Sequence, residues 1–575
     1  MTEEHANSID RAMHAAEARL TAGISPASAM LAYLDWALHL ANSPGKQAEL
    51  VRKAFRKSVK FSAYLAHSAT NPDHCPCIEP LAQDHRFRGA DWCQPPFDYY
   101  YQAFLLIQQW WHNATDQVPG VSRHHEDVVN FAARQILDVF SPANFIATNP
   151  EVLKATLESG GMNLVHGAQN FIEDWERTVL QKPPVGTERF RVGKEVAASA
   201  GKVIYRNRLI ELIQYEPTTR TVHPEPVLII PAWIMKYYIL DLSAHNSMVK
   251  YLVDQGHTVF MISWKNPDED DRDLDMEDYL ELGVMAALEA ARAIVPGRKI
   301  HTVGYCLGGT LLAIAAAALG RDGKDWLQSV TLLAAQTDFT EAGELMLFID
   351  ESQVSWLEDI MWDRGFLDTK QMAGAFQLLR SNDLIWSRMV HDYLMGERTP
   401  MIDLMAWNAD ATRMPYKMHS QYLRELFLRN KLAEGHFKVG GDVVVLTDIT
   451  PPIFAVGAEK DHVAPWKSVY KINLLADTDI TFLLTSGGHN AGIISEPGHP
   501  HRHYRMATRA QHEPYLAPGE WLEQTSSQDG SWWPIWQKWL AKHSGGRRIK
   551  PPAMGAGEAG YGVLDDAPGR YVLES

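Results

Sequence analysis

The segment KIHTVGYCLGG at 299–309 constrains the fold of this chain more than any other part of the sequence. An apolar run ends at Gly304. Cys306 and Gly308 come next, at alternate positions, and the alanine-rich run TLLAIAAAAL begins directly after Gly309. A strand that turns into a helix this abruptly leaves no room for side chains beside the central residue, so glycine must flank it. The pattern therefore predicts a nucleophile elbow that presents Cys306 at the carboxyl edge of a sheet. The alternative is a small cysteine buried against a glycine turn.

Short apolar runs recur on both sides of this turn and predict a parallel sheet. Continuous apolar runs are typical of strands that are buried on both faces. Helical segments separate several of them, which predicts a doubly wound α/β architecture. The predicted strands are KVIYRN at 202–207, LIELIQY at 209–215, PVLIIP at 226–231, HTVFMISW at 257–264, KIHTVGY at 299–305, SVTLLAA at 329–335, PIFAVG at 452–457 and ITFLLT at 480–485.

Two further regions have helical periodicity. Before the first strand, residues 1–200 carry apolar positions at helical spacing, and YYYQAFLLIQQWW at 99–111 is a strongly apolar helix candidate. Between Ala335 and Pro452 lie about 115 residues, far more than the usual two to six of a connection in such a sheet. Met, Trp and Leu at helical spacing predict a mostly helical cap there, with a second packed helical layer as the alternative.

Composition narrows the class of protein. The chain has 575 residues, 46% of them hydrophobic and 22% charged, which indicates a folded protein with several domains. Its 54 basic and 70 acidic residues give a formal charge of −16, which disfavours a nucleic-acid partner. Four cysteines are too few for a disulfide framework. With no apolar signal core near the first residue and no run long enough to span a bilayer, we expect a cytoplasmic protein.

A cysteine nucleophile needs a base, and two later loops supply a histidine and a carboxylate in the order typical of α/β hydrolases. Asp461 follows the strand PIFAVG, and His489 follows the next strand, 28 residues later. His489 would deprotonate Cys306 or an incoming hydroxyl, and Asp461 would hold its tautomer and support the imidazolium. The three side chains are therefore predicted to converge at one sheet edge.

The same reasoning predicts the groups around this centre. The backbone N–H of Leu307 is one expected oxyanion donor, and the loop 231–238 should supply another from Trp233 or Ile234. His462, next to Asp461, either donates a hydrogen bond that supports these side chains from behind or is a packed, hydrogen-bonded histidine.

No metal site is predicted from the histidine- and cysteine-rich segments. HPHRHYR at 499–505 places histidines at alternating positions, which favours exposed residues of a loop or strand. CPC at 75–77 with His74 has no second ligand pair.

Several stretches resemble those of the polyhydroxyalkanoate synthases, also called poly(3-hydroxyalkanoate) polymerases. The resemblance runs from about residue 20 to the end of the sequence and is most specific around the predicted centre. The similar stretches are GISPASAMLAYLDWALHLANSPGKQ at 23–47, FSPANFIATNPEVL at 140–153, KVIYRNRLIELIQYEP at 202–217, PAWIMKYYILDLSAHNSMVKYLVDQGHTVFMISWKNPD at 231–268, WNADATRMP at 407–415, GAEKDHVAPW at 457–466, TSGGHNAGI at 485–493, GSWWPIW at 530–536 and APGRYV at 567–572.

The resemblance implies a fold and an activity. The fold would be an α/β-hydrolase domain at 201–575 with a cap insertion at about 336–450, after an N-terminal extension at 1–65 and a mainly α-helical domain at 66–200. Cys306 would be acylated by (R)-3-hydroxyacyl-CoA, 3-hydroxybutyryl-CoA being the first expectation. His489 and Asp461 would be its partners, and Asp461 could instead help to deprotonate the hydroxyl in elongation. No cofactor is implied, because coenzyme A is part of the substrate.

The family further implies the partners: a growing polyester chain, the granule surface, a second copy of the chain in a homodimer, and phasins.

Two other functions are compatible with the predicted fold. A thioesterase, esterase or polyester depolymerase would let water reach the acyl-cysteine. A non-catalytic granule protein would be expected to have lost at least one member of the triad.

Overall fold

The computed structural model describes residues 3–21, 23–68, 76–369, 379 and 381–575. The chain forms two compact units. One comprises Met1–Leu20, Gly186–Met372 and Met401–Ser575, and is here called the sheet unit. The other comprises Thr21–Val185 and Ala373–Pro400, and is called the helical unit. His74 and Cys75 lie outside the described residues.

The sheet unit is built on one sheet of eleven strands, and every strand predicted from an apolar run is present in it. The strand order is β14-β13-β12-β11-β6-β5-β3-β4-β2-β1-β15. The strands are β1 (Gly201–Arg206), β2 (Ile210–Tyr215), β3 (Val227–Ile230), β4 (Val259–Trp264), β5 (Ile300–Tyr305), β6 (Leu327–Leu333), the short β7 (Phe366–Leu367), β8 (Met414–Pro415), β9 (Lys438–Val439) and β10 (Asp442–Val443), then β11 (Ile453–Ala458), β12 (Ile480–Thr485), β13 (His503–Arg509), β14 (Ser527–Asp529) and β15 (Asp565–Asp566). The strands β7 to β10 form two separate two-stranded sheets.

The order of the strands explains where a site can form. Neighbours from β4 to β12 pair in parallel, and antiparallel strands flank them on both sides. From β3 the chain goes outward to β4, then returns across β3 to β5 and continues in the other direction. The β3/β5 boundary is therefore a topological switch point, where a crevice opens at the carboxyl ends of the strands.

The described α-helices carry the remaining layers. They are α1 (Glu3–Ala18), α2 (Pro26–Ala41), α3 (Pro44–Ser68), α4 (Phe97–Thr115), α5 (Arg123–Val139), α6 (Pro150–Glu158), α7 (Met162–Val179), α8 (Met248–Asp254), α9 (Met276–Asp278), α10 (Ala286–Ile294), α11 (Leu307–Arg321), α12 (Glu351–Arg364), α13 (Asp403–Asn408), α14 (Tyr416–Gln421), α15 (Trp466–Tyr470), α16 (Ile472–Leu475), α17 (Pro518–Gln524) and α18 (Trp533–His543). Across the part of the chain that the structure describes, no helix pairs the length of a bilayer span with the apolarity it needs.

Each face of the sheet has its own apolar core. Successive residues of β3 alternate between them, so Leu228 and Ile230 enter the core beneath α11, and Val227 and Ile229 enter the core beneath α18. This two-sided burial is why the strands are continuous apolar runs in the sequence. The predicted fold, an α/β hydrolase with helices on both faces, is confirmed.

The insertion between β6 and β11 is mostly helical where it is described. Within the sheet unit it contains α12, α13, α14 and a π-helical turn at Tyr422–Leu428. Its apolar residues Met418, Leu426 and Phe427 join the core beneath α11. This part of the insertion is therefore packed on the sheet unit through a continuous apolar core.

The helical unit divides the chain differently from the predicted segments. Residues 381–400 of the insertion belong to it, because they pack closely on α7: a Cβ on Gly167 would lie 1.7 Å from the Tyr393 carbonyl oxygen. Asp174 of α7 accepts hydrogen bonds from Arg398 at 2.8 Å and from the Tyr393 hydroxyl at 3.0 Å.

The predicted boundary at residue 65 falls inside the continuous helix α3. The first helix, α1, packs on α12 in the sheet unit.

We predict that His301 makes the protein sensitive to acid. Its ring lies in β5 with Nδ1 2.7 Å from the Ser329 hydroxyl and Nε2 2.9 Å from the Ser544 hydroxyl. Burial, with smaller effects of His543 and His223, lowers the pKa of His301 from 6.5 to about 3. The neutral ring thus contributes stability that is complete above pH 6.5 and is lost as the pH falls towards 3. At pH 5 the loss is about 2 kcal/mol, since one pH unit is worth about 1.4 kcal/mol.

Thermal unfolding at pH 7.5 and pH 5 measures this effect. The unmodified protein should lose more Tm between the two values than His301→Asn, whereas a change at the exposed His436 should leave the difference as it is. An equal loss of Tm in the unmodified protein and His301→Asn would contradict the prediction.

Candidate active site

The turn from β5 to α11 holds Cys306 in a strained backbone conformation. Cys306 has φ 52° and ψ −122°, a region that residues with a side chain rarely adopt. The glycines around it are required by close contacts. A Cβ on Gly304 would lie 2.4 Å from the Gly309 Cα, and a Cβ on Gly308 would lie 2.2 Å from the Ile230 carbonyl oxygen. The turn thus has the geometry expected of the nucleophile elbow that the sequence pattern predicts.

Cys306 lies at the boundary of the two apolar cores and is partly exposed. Its N–H donates to the Leu333 carbonyl oxygen at 2.9 Å, and its own carbonyl oxygen accepts from Gly309 at 2.9 Å. The backbone of Cys306 is therefore fixed to β6 on one side and to the first turn of α11 on the other.

The structure brings Asp461 and His489 together with Cys306. Asp461 Oδ2 lies 2.7 Å from His489 Nδ1, and Asp461 Oδ1 accepts from the amides of Val463 at 2.9 Å and Ala464 at 2.8 Å. The Cys306 side chain lies next to the His489 imidazole and helps to raise its pKa. Since Nδ1 faces Asp461, Nε2 is the ring nitrogen left to serve the Cys306 thiol. The three side chains are therefore arranged in the order thiol, imidazole and carboxylate.

The electrostatics of this triad favour a charged imidazole. Burial opposes the charge of His489, yet the carboxylate of Asp461 and the neighbouring Cys306 raise its pKa well above 6.5. The side chain of Asp461 is fully buried and that of His489 is 11% exposed, so little water screens the pair. The arrangement is suited to stabilising a thiolate next to an imidazolium.

The loop that carries His489 is held by residues that the sequence did not single out. Tyr305 is buried, and its hydroxyl donates to Asn490 Oδ1 at 2.7 Å. The indole of Trp532 donates to the Gly492 carbonyl oxygen at 3.0 Å, and that of Trp533 to the Ile493 carbonyl oxygen at 2.9 Å. The segment GSWWPIW was noted only as a family resemblance, although two adjacent tryptophans with donors are a usable signal for such anchoring.

The expected oxyanion donors lie at the same edge. Leu307 is the first residue of α11, where backbone N–H groups have no partner within the helix. The chain after β3 passes directly beside this turn, since a Cβ on Gly308 would also lie 2.5 Å from the Pro231 carbonyl oxygen. Trp233 and Ile234 follow in that loop and are buried or half-buried. Their amides remain the candidates for the second donor.

His462 is half-buried, next to Asp461. Its carbonyl oxygen accepts from the Glu344 amide at 3.1 Å, which links the loop of the acid to the start of the insertion. A role of its ring remains a prediction.

The histidine-rich segment lies at the start of β13. His499 pairs with Glu496 at 2.8 Å and His503 with Glu459 at 3.2 Å. Within the described ranges, no group of three histidine, cysteine or acidic side chains has the arrangement of a metal site.

Comparison with known proteins identifies the family. Family models match at residues 4–46 (poly-beta-hydroxybutyrate polymerase N terminal), 83–252 (poly-beta-hydroxybutyrate polymerase N-terminus) and 225–494 (alpha/beta hydrolase fold). The poly(3-hydroxyalkanoate) polymerase of Methylorubrum extorquens is 40% identical over 504 residues, 86% of this chain and 82% of that protein. The corresponding polymerase subunit of Cupriavidus necator is 37% identical over 496 residues, 85% of this chain and 83% of that protein. This chain belongs to the poly(3-hydroxyalkanoate) polymerase family.

Membership of the family confirms the resemblance seen in the sequence. The matches to the two N-terminal models include α2 and α4 of the helical unit, and the hydrolase match includes β3 to β12. Among solved structures, the monoacylglycerol lipase of Paleococcus ferrophilus aligns with a TM-score of 0.32 and 12% identity, over 58% of this chain and 99% of that chain.

We predict that Asp461→Asn slows the alkylation of Cys306 by iodoacetamide at pH 7 by about tenfold or more. The amide removes the charge that raises the pKa of His489, and each unit by which that pKa falls below the working pH reduces the imidazolium fraction about tenfold. The rate is measured by mass spectrometry of the modified peptide. Glu459→Gln, which removes a carboxylate from the same loop, is the matched control and should react at the original rate. An unchanged rate in Asp461→Asn would show that the carboxylate does not support the thiolate.

Proposed function

We propose that this enzyme polymerises (R)-3-hydroxyacyl-CoA, 3-hydroxybutyryl-CoA first of all, into a polyester with release of CoA. The intermediate in this proposal is an acyl thioester on Cys306. The observation that carries it is the position of Cys306 beside His489, whose Nδ1 lies 2.7 Å from the buried carboxylate of Asp461. Membership of the polymerase family makes the chain an enzyme with an acyltransferase type of activity.

Acylation begins with attack of the Cys306 sulfur on the thioester carbonyl of the substrate. The carbonyl oxygen becomes negative in the transition state, and the amide of Leu307 with one from Trp233 or Ile234 would stabilise it. The carbon–sulfur bond to CoA then breaks, and the imidazolium of His489 gives its proton to the departing thiolate. One thioester replaces another, so this step changes the free energy little and the acyl group is kept ready for transfer.

Elongation uses the same residues, but His489 now accepts a proton instead of donating one. A 3-hydroxyl attacks the acyl-cysteine, His489 takes the hydroxyl proton, and the bond to Cys306 breaks as the ester forms. We propose that Asp461 stays the partner of His489 in this step rather than acting as a second base. Its Oδ1 accepts two backbone amides and its Oδ2 faces His489 Nδ1, so both oxygens are already engaged.

The proposal includes a granule-associated homodimer that can contact phasins. Support comes from the helical unit, where α7 exposes more than half of the surface of several large apolar side chains. They are Phe171 at 53%, Ile172 at 60%, Trp175 at 61% and Val179 at 59%. Such a face suits a hydrophobic polyester surface.

We predict that Cys306→Ala abolishes both CoA release and polymer formation from (R)-3-hydroxybutyryl-CoA. Free CoA is followed with a thiol reagent, and the products are separated into polyester and free 3-hydroxybutyrate. An unchanged circular dichroism spectrum and Tm would show that the variant is folded. Turnover in the variant would refute the assignment, and free acid from the unmodified enzyme would identify a thioesterase instead.

His489→Gln is predicted to reduce the rate of CoA release more than about 100-fold, because a positioned base contributes on the order of 10²–10⁴. His499→Gln, at a paired histidine of the nearby loop, is the control and should keep full activity. A loss below tenfold in His489→Gln would assign the base to another histidine, and His462→Gln would be measured next.

A further inference from the structure

Lys236 is a buried cation in the loop 231–238, which the elbow needs for its second oxyanion donor. The residue is 3% exposed. Its Nζ donates to the carbonyl oxygens of Glu574 and, at 3.4 Å, of Tyr571. No described carboxylate forms an ion pair with it within 4 Å. A buried ammonium group is costly, so its carbonyl partners must hold it firmly for the arrangement to persist.

The segment 571–575 is itself anchored at several points. The carboxylate of Glu574 accepts from the Asn266 amide at 2.9 Å, and the amide of Tyr571 donates to the buried Glu211 at 3.0 Å. Arg413 donates to the Ser575 carbonyl oxygen at 3.0 Å. The acceptors of Lys236 are thus fixed to β2 and to the loop after β4.

The opposite side of the loop is held by the segment 407–412. The Thr412 hydroxyl donates to the Trp233 carbonyl oxygen at 2.5 Å, and the Thr412 amide donates to the Ile234 carbonyl oxygen at 3.2 Å. The Trp407 indole donates to the carbonyl oxygen of Lys236 at 2.8 Å. In a trans peptide the N–H points away from the preceding carbonyl. Fixing the Trp233 carbonyl towards Thr412 therefore turns the Ile234 amide away from that segment.

We propose that Lys236 is a positioning residue for the oxyanion donor. It clamps the loop 231–238 between segments 571–574 and 407–412, and the clamp sets the direction of the Ile234 amide. The inference rests on the proposed acyl transfer at Cys306 and adds to it the element that aims the second donor. Lys236 itself touches neither the substrate nor the triad in this proposal.

The test compares two reactions of the same thiol. CoA release from (R)-3-hydroxybutyryl-CoA passes through an oxyanion, whereas alkylation of Cys306 by iodoacetamide displaces iodide and develops none. Lys236→Met should therefore lower kcat for CoA release about 10- to 100-fold, with KM changed less than about threefold, because loss of an oxyanion donor costs on the order of 10²–10³. The alkylation rate should stay within about twofold.

Two further variants sharpen the comparison. Removal of residues 571–575 deletes the carbonyl acceptors and leaves the buried ammonium group without them, so it should lower CoA release at least as much as Lys236→Met does. The two changes combined should be no worse than the deletion alone. Lys471→Met removes another partly buried lysine, which pairs with Asp338 at 3.3 Å, and should leave both rates unchanged.

The outcomes separate this inference from the function on which it rests. Absence of CoA release by the unmodified enzyme, with longer acyl chains also tried, would refute the proposed function. With that activity present, unchanged CoA release in Lys236→Met, or an equal loss in the alkylation rate, would overturn the positioning role. If Lys236→Met does not fold, the double variant Lys236→Met/Asp410→Asn also removes the half-buried carboxylate that lies near the lysine, and the same two rates decide.

Discussion

The close approach of β3 and α11 is the constraint on which the rest of the site depends. Gly308 brings the helix so near the end of β3 that a methyl group would overlap the Ile230 carbonyl oxygen, 2.2 Å away. Only this approach lets one turn present the Cys306 thiol and the Leu307 amide beside the loop after β3. The strained φ of Cys306 is tolerated because β6, α11 and two apolar cores hold the turn on all sides.

The triad of Cys306, His489 and Asp461 and the loop 231–238, proposed to carry the second oxyanion donor, are held by different interactions. A substitution that disturbs one of them need not disturb the other. The triad depends on a buried carboxylate whose oxygens are occupied by two amides and one imidazole. The loop after β3 depends on hydrogen bonds that its carbonyl oxygens and the Lys236 ammonium group make with segments far away in the sequence. Changes in the triad should act on the reactivity of the thiol itself, whereas changes in the loop should act only on reactions that develop charge on a carbonyl oxygen.

Much of the fold could be predicted because burial on both faces leaves a continuous apolar signal. The same signal is missing where strands are exposed: all three residues of β14 (Ser527–Asp529) are exposed, and β15 (Asp565–Asp566) consists of two acidic residues. Their places in the sheet depend on pairing with β13 and β1. The assignment of residues 381–400 to the helical unit depends on close packing against α7, as at Gly167, and on hydrogen bonds and ion pairs such as those of Asp174. Neither kind of contact leaves a periodic pattern in the sequence.

The residues of the candidate site likewise fall into those that the sequence could predict and those that it could not. Cys306, Asp461 and His489 could be predicted because each directly follows a parallel strand, and parallel strands end at one edge. Tyr305, Trp532 and Lys236 could not, because what they hold is a backbone carbonyl or an amide side chain at a distant position. A lysine in an apolar loop is usually expected to reach solvent. Its burial in this fold follows only when β2, the loop after β4 and segment 571–575 are assembled around it, which makes the direction of the amide proposed as an oxyanion donor a property of the whole sheet unit.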